Sequence, residues 1–160
     1  MSQAQATTVT PRALDRAAIV REARSWIGTP YRLGGRVKGA GCDCATFIAE
    51  VLIACNLAER EGLGIYSHDW FAHTSNERYL MGLLRHTTKT VEAVAHRSAA
   101  AAPGDIILTR LARSKVYNHG GIVTAWPKVI HAIAPQVEEI DASTHPLWNY
   151  RAIAVFRPNS

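Results

Sequence analysis

Apolar residues recur at helical spacing in the first third of this chain and in short runs divided by turn residues in the last third, and that order constrains the fold most. Pro11 can open a helix that Leu14, Ala17, Ala18, Arg21 and residues 23–27 carry until Gly28-Thr29-Pro30 stops it. A second helix is expected over 43–57 and a third over 73–84, with an extended segment near 87–94. Pro103-Gly104-Asp105 is a turn signal feeding Ile106, Ile107 and Leu108, a buried strand. Further strands are expected over 120–125, 129–134, 137–140 and 152–156, with turns at Trp126-Pro127-Lys128 and Pro135-Gln136. Helices followed by a run of antiparallel strands predict an α+β fold.

At 160 residues, 48% hydrophobic and 19% charged, the chain is expected to be one globular domain over 11–160 behind a polar, flexible N-terminus at 1–10. A formal charge of +5 suits an anionic partner such as a cell-wall polymer, a membrane surface or a nucleic acid. No Lys/Arg run concentrates that charge, so no nucleic-acid partner is expected. Three cysteines without a C-x-x-C pair exclude a disulfide framework. The N-terminus lacks the basic-then-apolar pattern of a signal peptide, and no run approaches the length of a membrane span.

The chemistry begins at Gly41-Cys42-Asp43-Cys44-Ala45-Thr46-Phe47. Cys44, Phe47, Ile48, Val51, Leu52 and Cys55 follow the i, i+3, i+4 recurrence of one helical face, which places Cys44 in the first turn. Unpaired N–H groups and the positive end of the helix dipole stabilise a thiolate there, the nucleophilic form of cysteine. Gly34-Gly35, Gly39 and Gly41 let the chain turn sharply into that helix. The competing reading of Cys44 is a small buried hydrophobe.

A cysteine nucleophile needs a histidine to take its proton and a polar group to orient that histidine. Seven histidines are present, and two fall at the start of or on expected strands: His119 in Asn118-His119-Gly120-Gly121-Ile122 and His131 in Ile130-His131-Ala132. Twelve residues and a tight turn separate them, so their rings can neighbour each other on adjacent antiparallel strands. His68, His73, His86, His96 and His145 read as ordinary core or surface residues. Zinc on Cys42, Cys44, His119 and His131 is the rival chemistry, but C-x-C with distant histidines lacks the usual ligand spacing, and no metal is expected.

Five motifs in order resemble the NlpC/p-sixty cysteine peptidases, papain-like enzymes that cut peptidoglycan stem peptides. They are Gly28-Thr29-Pro30-Tyr31 with Gly34-Gly35, then Asp43-Cys44, Pro103-Gly104-Asp105, His119-Gly120-Gly121-Ile122 and Ile130-His131-Ala132. The resemblance runs from Trp26 to Pro158. Gly41-Cys42-Asp43-Cys44, Tyr66-Ser67-His68-Asp69-Trp70 and the stretch from Trp148 into Phe156 are similar to the short enzymes encoded with phage tails and gene transfer agents.

The resemblance implies an α+β papain-like, NlpC-type fold in which the nucleophile helix packs on a mainly antiparallel sheet. It implies Cys44 as nucleophile, His119 as general base and His131 as its orienter, with helix-start amides, Cys44's own among them, at the oxyanion. Tyr31 and Asp43 are the implied substrate contacts. It also implies a peptidoglycan stem peptide as substrate, the γ-D-glutamyl to meso-diaminopimelate bond as the default cut, and no cofactor. Delivery from the cytoplasm to the cell wall by a phage tail, with tail proteins as partners, would account for the missing signal peptide. Ala45-Thr46 stands where relatives have Ser-Gly, and the serine there helps hold the free amine of an N-terminal L-alanine. An amidase of the same fold and a catalytically silent tail protein are the alternatives.

Overall fold

A computed structural model describes residues 13–60, 78–93, 101–149 and 152–159. The elements are α1 (Arg16–Arg24), β1 (Arg36–Val37), β2 (Gly41–Cys42), α2 (Cys44–Ala54), α3 (Arg78–Leu84), β3 (Thr87–Ala93), β4 (Ile106–Thr109), β5 (His119–Ala125), β6 (Lys128–Ile133), β7 (Gln136–Asp141) and β8 (Ile153–Pro158). Helices precede a six-stranded antiparallel sheet of order β3-β8-β4-β5-β6-β7, beside a small β1-β2 pair. This is the α+β architecture that the sequence predicts.

The first helix starts later than expected. The Asp15 carboxylate accepts from the Ala18 amide at 2.9 Å and caps α1, while Pro11 lies outside the described residues. The expected flexible N-terminus, the part of the third helix before Arg78, the motif at 66–70 and residues 150–151 also lie outside them. Two-residue strands β1 and β2 escape a periodicity search, because two residues carry no period.

Helix α2 forms where Asp43 stops the extended chain. The Asp43 carboxylate accepts from the amides of Ala45 and Thr46 at 3.0 and 2.9 Å, and the Asp43 amide donates to Thr46 Oγ1 at 2.8 Å, a reciprocal cap. Phe47, Ile48, Val51 and Leu52 are buried against β5 and β6, together removing apolar surface worth roughly 6–12 kcal/mol before entropy is counted. Cys44 and Cys55 sit at the two ends of that stripe and are partly exposed. Buried Glu50 is neutralised by Arg36 at 2.6 Å and Arg60 at 2.6 Å, which ties β1 to the helix.

Both faces of the sheet are covered, which is why β4 reads as an unbroken apolar run. Ile106 and Leu108 pack with Phe47, Val51, Ile122 and Ile130. Ile107 packs on the other face with Val123, Val129, Val155 and the buried ring of Trp148. Asp105, ahead of β4, is buried and held by Arg16 at 2.9 Å and by Arg157 at 3.1 and 3.0 Å, linking α1 to β8.

Candidate active site

Three backbone segments converge at the start of α2. Residues 28–32 run between β7 and β2: Gly28 N–H donates to Val137 O at 2.9 Å, Tyr31 N–H to Pro135 O at 2.8 Å, and Arg32 N–H to Cys42 O at 2.8 Å. That path brings Tyr31, half-buried, beside Cys42. Burial, with the nearby charges of Cys44, Asp43 and Cys42, pushes its phenol up to about 12. Gly34 adopts a positive φ of 70° and donates its amide to Asp43 Oδ2 at 2.7 Å. The Asp43 carboxylate thus caps the helix with one oxygen and holds the preceding loop with the other. It is a buried part of the scaffold under Cys44.

The three thiols are placed differently. Cys42 is fully buried, and burial followed by the Asp43 charge pushes its thiol up to about 12. Burial also raises the Cys55 thiol, at the far end of α2. Cys44 is at the first helical position, and its Sγ donates to the Asn118 carbonyl at 3.8 Å. The cysteine helix therefore meets β5 at the residue immediately before His119.

His119 and His131 are buried, and His119 Nε2 lies 2.9 Å from His131 Nδ1. The register makes this possible. Gly121 stands directly opposite His131, so His119, two residues along, reaches it on the diagonal. A Cβ on Gly121 would lie 2.5 Å from Val129 Cγ1 and 2.9 Å from the Ile130 carbonyl, so only glycine fits there.

Trp148 decides where the protons are. Its indole N–H, a donor only, points at His131 Nδ1 from 3.2 Å. His131 Nδ1 is therefore an acceptor, and His131 carries its proton on Nε2. His119 Nε2, facing the same acceptor, must be the donor, which leaves the lone pair of His119 on Nδ1. Burial, then the neighbouring His131 and His145, hold His119 well below its ordinary range. Burial and His145 pull His131 down to about 4 against the opposing pull of Glu138. Both rings are neutral at pH 7, and a neutral His119 is a proton acceptor.

Among the described residues, the buried Nε2 of His131 has no hydrogen-bond partner. Glu138, directly across from His131 on β7, brings its Oε1 to 3.5 Å, and His145 Nε2 lies 4.0 Å from the same oxygen. The His145 ring stands edge-on to His131 with centroids 5.2 Å apart. Sequence reasoning missed Glu138, His145 and Trp148. The cross-strand position of Glu138 could have been found from the 131–138 hairpin, but the other two arrive on a turn with no local signal. Among the described residues, His131, Glu138 and His145 are the group able to hold a metal ion, and Cys42 and Cys44 do not belong to it.

No protein-family model and no curated protein matches the sequence. Solved structures do match. The NlpC/p60 domain of the peptidoglycan hydrolase SagA aligns over 89% of this chain and 98% of its own at 22% identity, TM-score 0.58. An N-acetylmuramoyl-L-alanine amidase from Bacteroides uniformis aligns over 91% and 99% at 11% identity, TM-score 0.61. An NLP/P60 family protein from Staphylococcus aureus, similar to lipoprotein, aligns over 96% of this chain at 19% identity, TM-score 0.61, and the chain spans 45% of its length. At such identities the likeness speaks for architecture, and with the helix-on-antiparallel-sheet arrangement it establishes that this chain has the α+β, papain-like fold of the NlpC/P60 domains.

Proposed function

We propose that the chain is a peptidoglycan hydrolase of the NlpC/P60 cysteine peptidase family. The observation that carries the reading is the buried relay Trp148–His131–His119 ending one residue from the carbonyl that touches Cys44 Sγ. Cys44 attacks the carbonyl carbon of a stem-peptide amide. His119 Nδ1 accepts the thiol proton and returns it to the leaving amine, and His131 holds the His119 ring and supports the imidazolium that forms. Water then attacks the thioester and regenerates the thiol. Ala45 and Thr46 spend their amides on Asp43, so the helix-start amide assigned to the oxyanion is that of Cys44. Tyr31 lines the pocket, and Asp43 serves the substrate by fixing the loop at Gly34 beside it. The basic charge of the whole chain favours an anionic wall polymer.

The default bond is γ-D-glutamyl to meso-diaminopimelate, and the chain acts at the wall after delivery by a phage tail or similar particle. Ala45 supports the delivery reading, since it lacks the hydroxyl that in relatives helps hold a free L-alanine amine. Intact wall should therefore be cut at least as well as the free peptide L-Ala-γ-D-Glu-diaminopimelate. The likeness to an amidase sustains a second reading, cleavage between muramic acid and L-alanine. Mass analysis of products from purified sacculi decides: a new diaminopimelate N-terminus supports the endopeptidase, a free L-alanine N-terminus the amidase, and no product from sacculi or peptide refutes both.

A further inference from the structure

We propose that His131 Nε2, Glu138 and His145 form a site for a divalent transition-metal ion of the zinc class, and that its occupation switches the relay off. The sequence alone predicts no metal here. The three ligand atoms lie within 4.8 Å of one another, with His131 Nε2 to Glu138 Oε1 at 3.5 Å and His145 Nε2 to the same oxygen at 4.0 Å. A tetrahedral zinc ion with bonds near 2.0–2.1 Å needs ligand atoms about 3.3 Å apart, so closing the site takes small side-chain rotations. The side chains of Glu138 and His145 are 43% and 23% exposed and can make them, while His131 is fixed. Two imidazoles and one carboxylate, with the fourth position open, is a familiar zinc donor set. The second observation is the Nε2 of His131, fully buried, without a hydrogen-bond partner among the described residues and facing the other two ligands.

Occupation has a consequence for the proton arrangement, and this half rests on the catalytic reading above. A metal takes the lone pair of His131 Nε2, so the proton of that neutral ring moves to Nδ1. There it faces the Trp148 indole N–H, donor against donor, and it donates to His119 Nε2. His119 must then carry its own proton on Nδ1. Two protons are present before and two after, each moved across its ring. The lone pair that would accept the thiol proton is gone.

The site is tested on the Cys44→Ala protein, which removes the thiol as a competing ligand, by titration with Co²⁺ followed by visible absorption and displacement with Zn²⁺. The expected result is one tetrahedral Co²⁺ per chain, with affinity falling by about a hundredfold or more in Glu138→Gln or His145→Ala, more than a lost outer-sphere partner usually costs. No tetrahedral spectrum, or binding indifferent to both substitutions, overturns the site. The switch is tested on the protein with Cys44 intact. Zn²⁺ should inhibit hydrolysis, and His145→Ala, read as the fraction of its own metal-free rate, should need at least tenfold more. Equal inhibition of both proteins means zinc acts on the thiol and overturns the switch. Absence of hydrolysis without metal overturns the catalytic reading, while the Co²⁺ arm still decides the site.

Discussion

Replacing Trp148 by Phe keeps a ring in the second core cluster and removes the one donor that fixes the proton on His131. In the native protein the wrong tautomer, with the proton on His131 Nδ1, loses a hydrogen bond and sets two donors against each other. That costs about 2–3 kcal/mol, which holds the wrong form to a few per cent or less. With Phe the penalty disappears. Among the described residues, Glu138, 3.5 Å from Nε2, still favours the native form, so the wrong form should rise to tens of per cent. Because the active fraction falls from nearly all to no less than roughly half, kcat should drop by up to about twofold with KM unchanged. Stability should fall by about 2 kcal/mol, from one lost hydrogen bond and the smaller ring. Side-chain nitrogen NMR reads the tautomers directly at pH 7. If wild-type His131 carries its proton on Nδ1, or if Trp148→Phe leaves both tautomer populations unchanged, the proton assignment fails.

Gly121→Ala forces a methyl to within 2.5 Å of Val129 and 2.9 Å of the Ile130 carbonyl, so thermal unfolding should register a loss of about 1–3 kcal/mol, and activity should fall as His131 is pushed away. Iodoacetamide near neutral pH should label Cys44 ahead of Cys42 and Cys55, whose thiols burial raises, and peptide mass mapping reads the order. Burial alone would raise the Asp105 carboxyl, but Arg157, the Ala102 amide and Arg16 outweigh it and hold its pKa below the ordinary value. A depressed folded value stabilises the protein above the unfolded pKa near 4, and that contribution is lost as pH falls below 4 through the folded pKa. Asp105→Asn, which leaves the partly exposed Arg157 and Arg16 without their carboxylate, should destabilise the protein by about 1–3 kcal/mol at pH 7 and flatten its urea-measured acid dependence below pH 4.

The two histidines were legible because each sits in an apolar strand and twelve residues with a tight turn fix their pairing; β5 and β6 form as expected, and Gly121 opposite His131 lets the rings meet. The helix that begins at Cys44 was legible from its apolar spacing alone. The capping role of Asp43 was not: the residue types beside the cysteine suggest a substrate contact, and the structure adds that the carboxylate accepts from the Ala45, Thr46 and Gly34 amides. Its partner Thr46, three residues on, was a capping signal in the sequence that the search for chemistry passed over. Trp148 and His145 could not be read at all, since the turn after β7 carries them back over β5 and β6, and contacts across such distances leave no trace in local periodicity.

The central claim is that Cys44 is the attacking thiol and His119 its base. The most direct measurement is digestion of purified peptidoglycan by wild type, Cys44→Ala and His119→Ala at equal concentration, with chromatography of the released muropeptides and circular dichroism to confirm that all three are folded. Release by wild type with none from either variant is the predicted result. Undiminished release by folded Cys44→Ala would contradict the account.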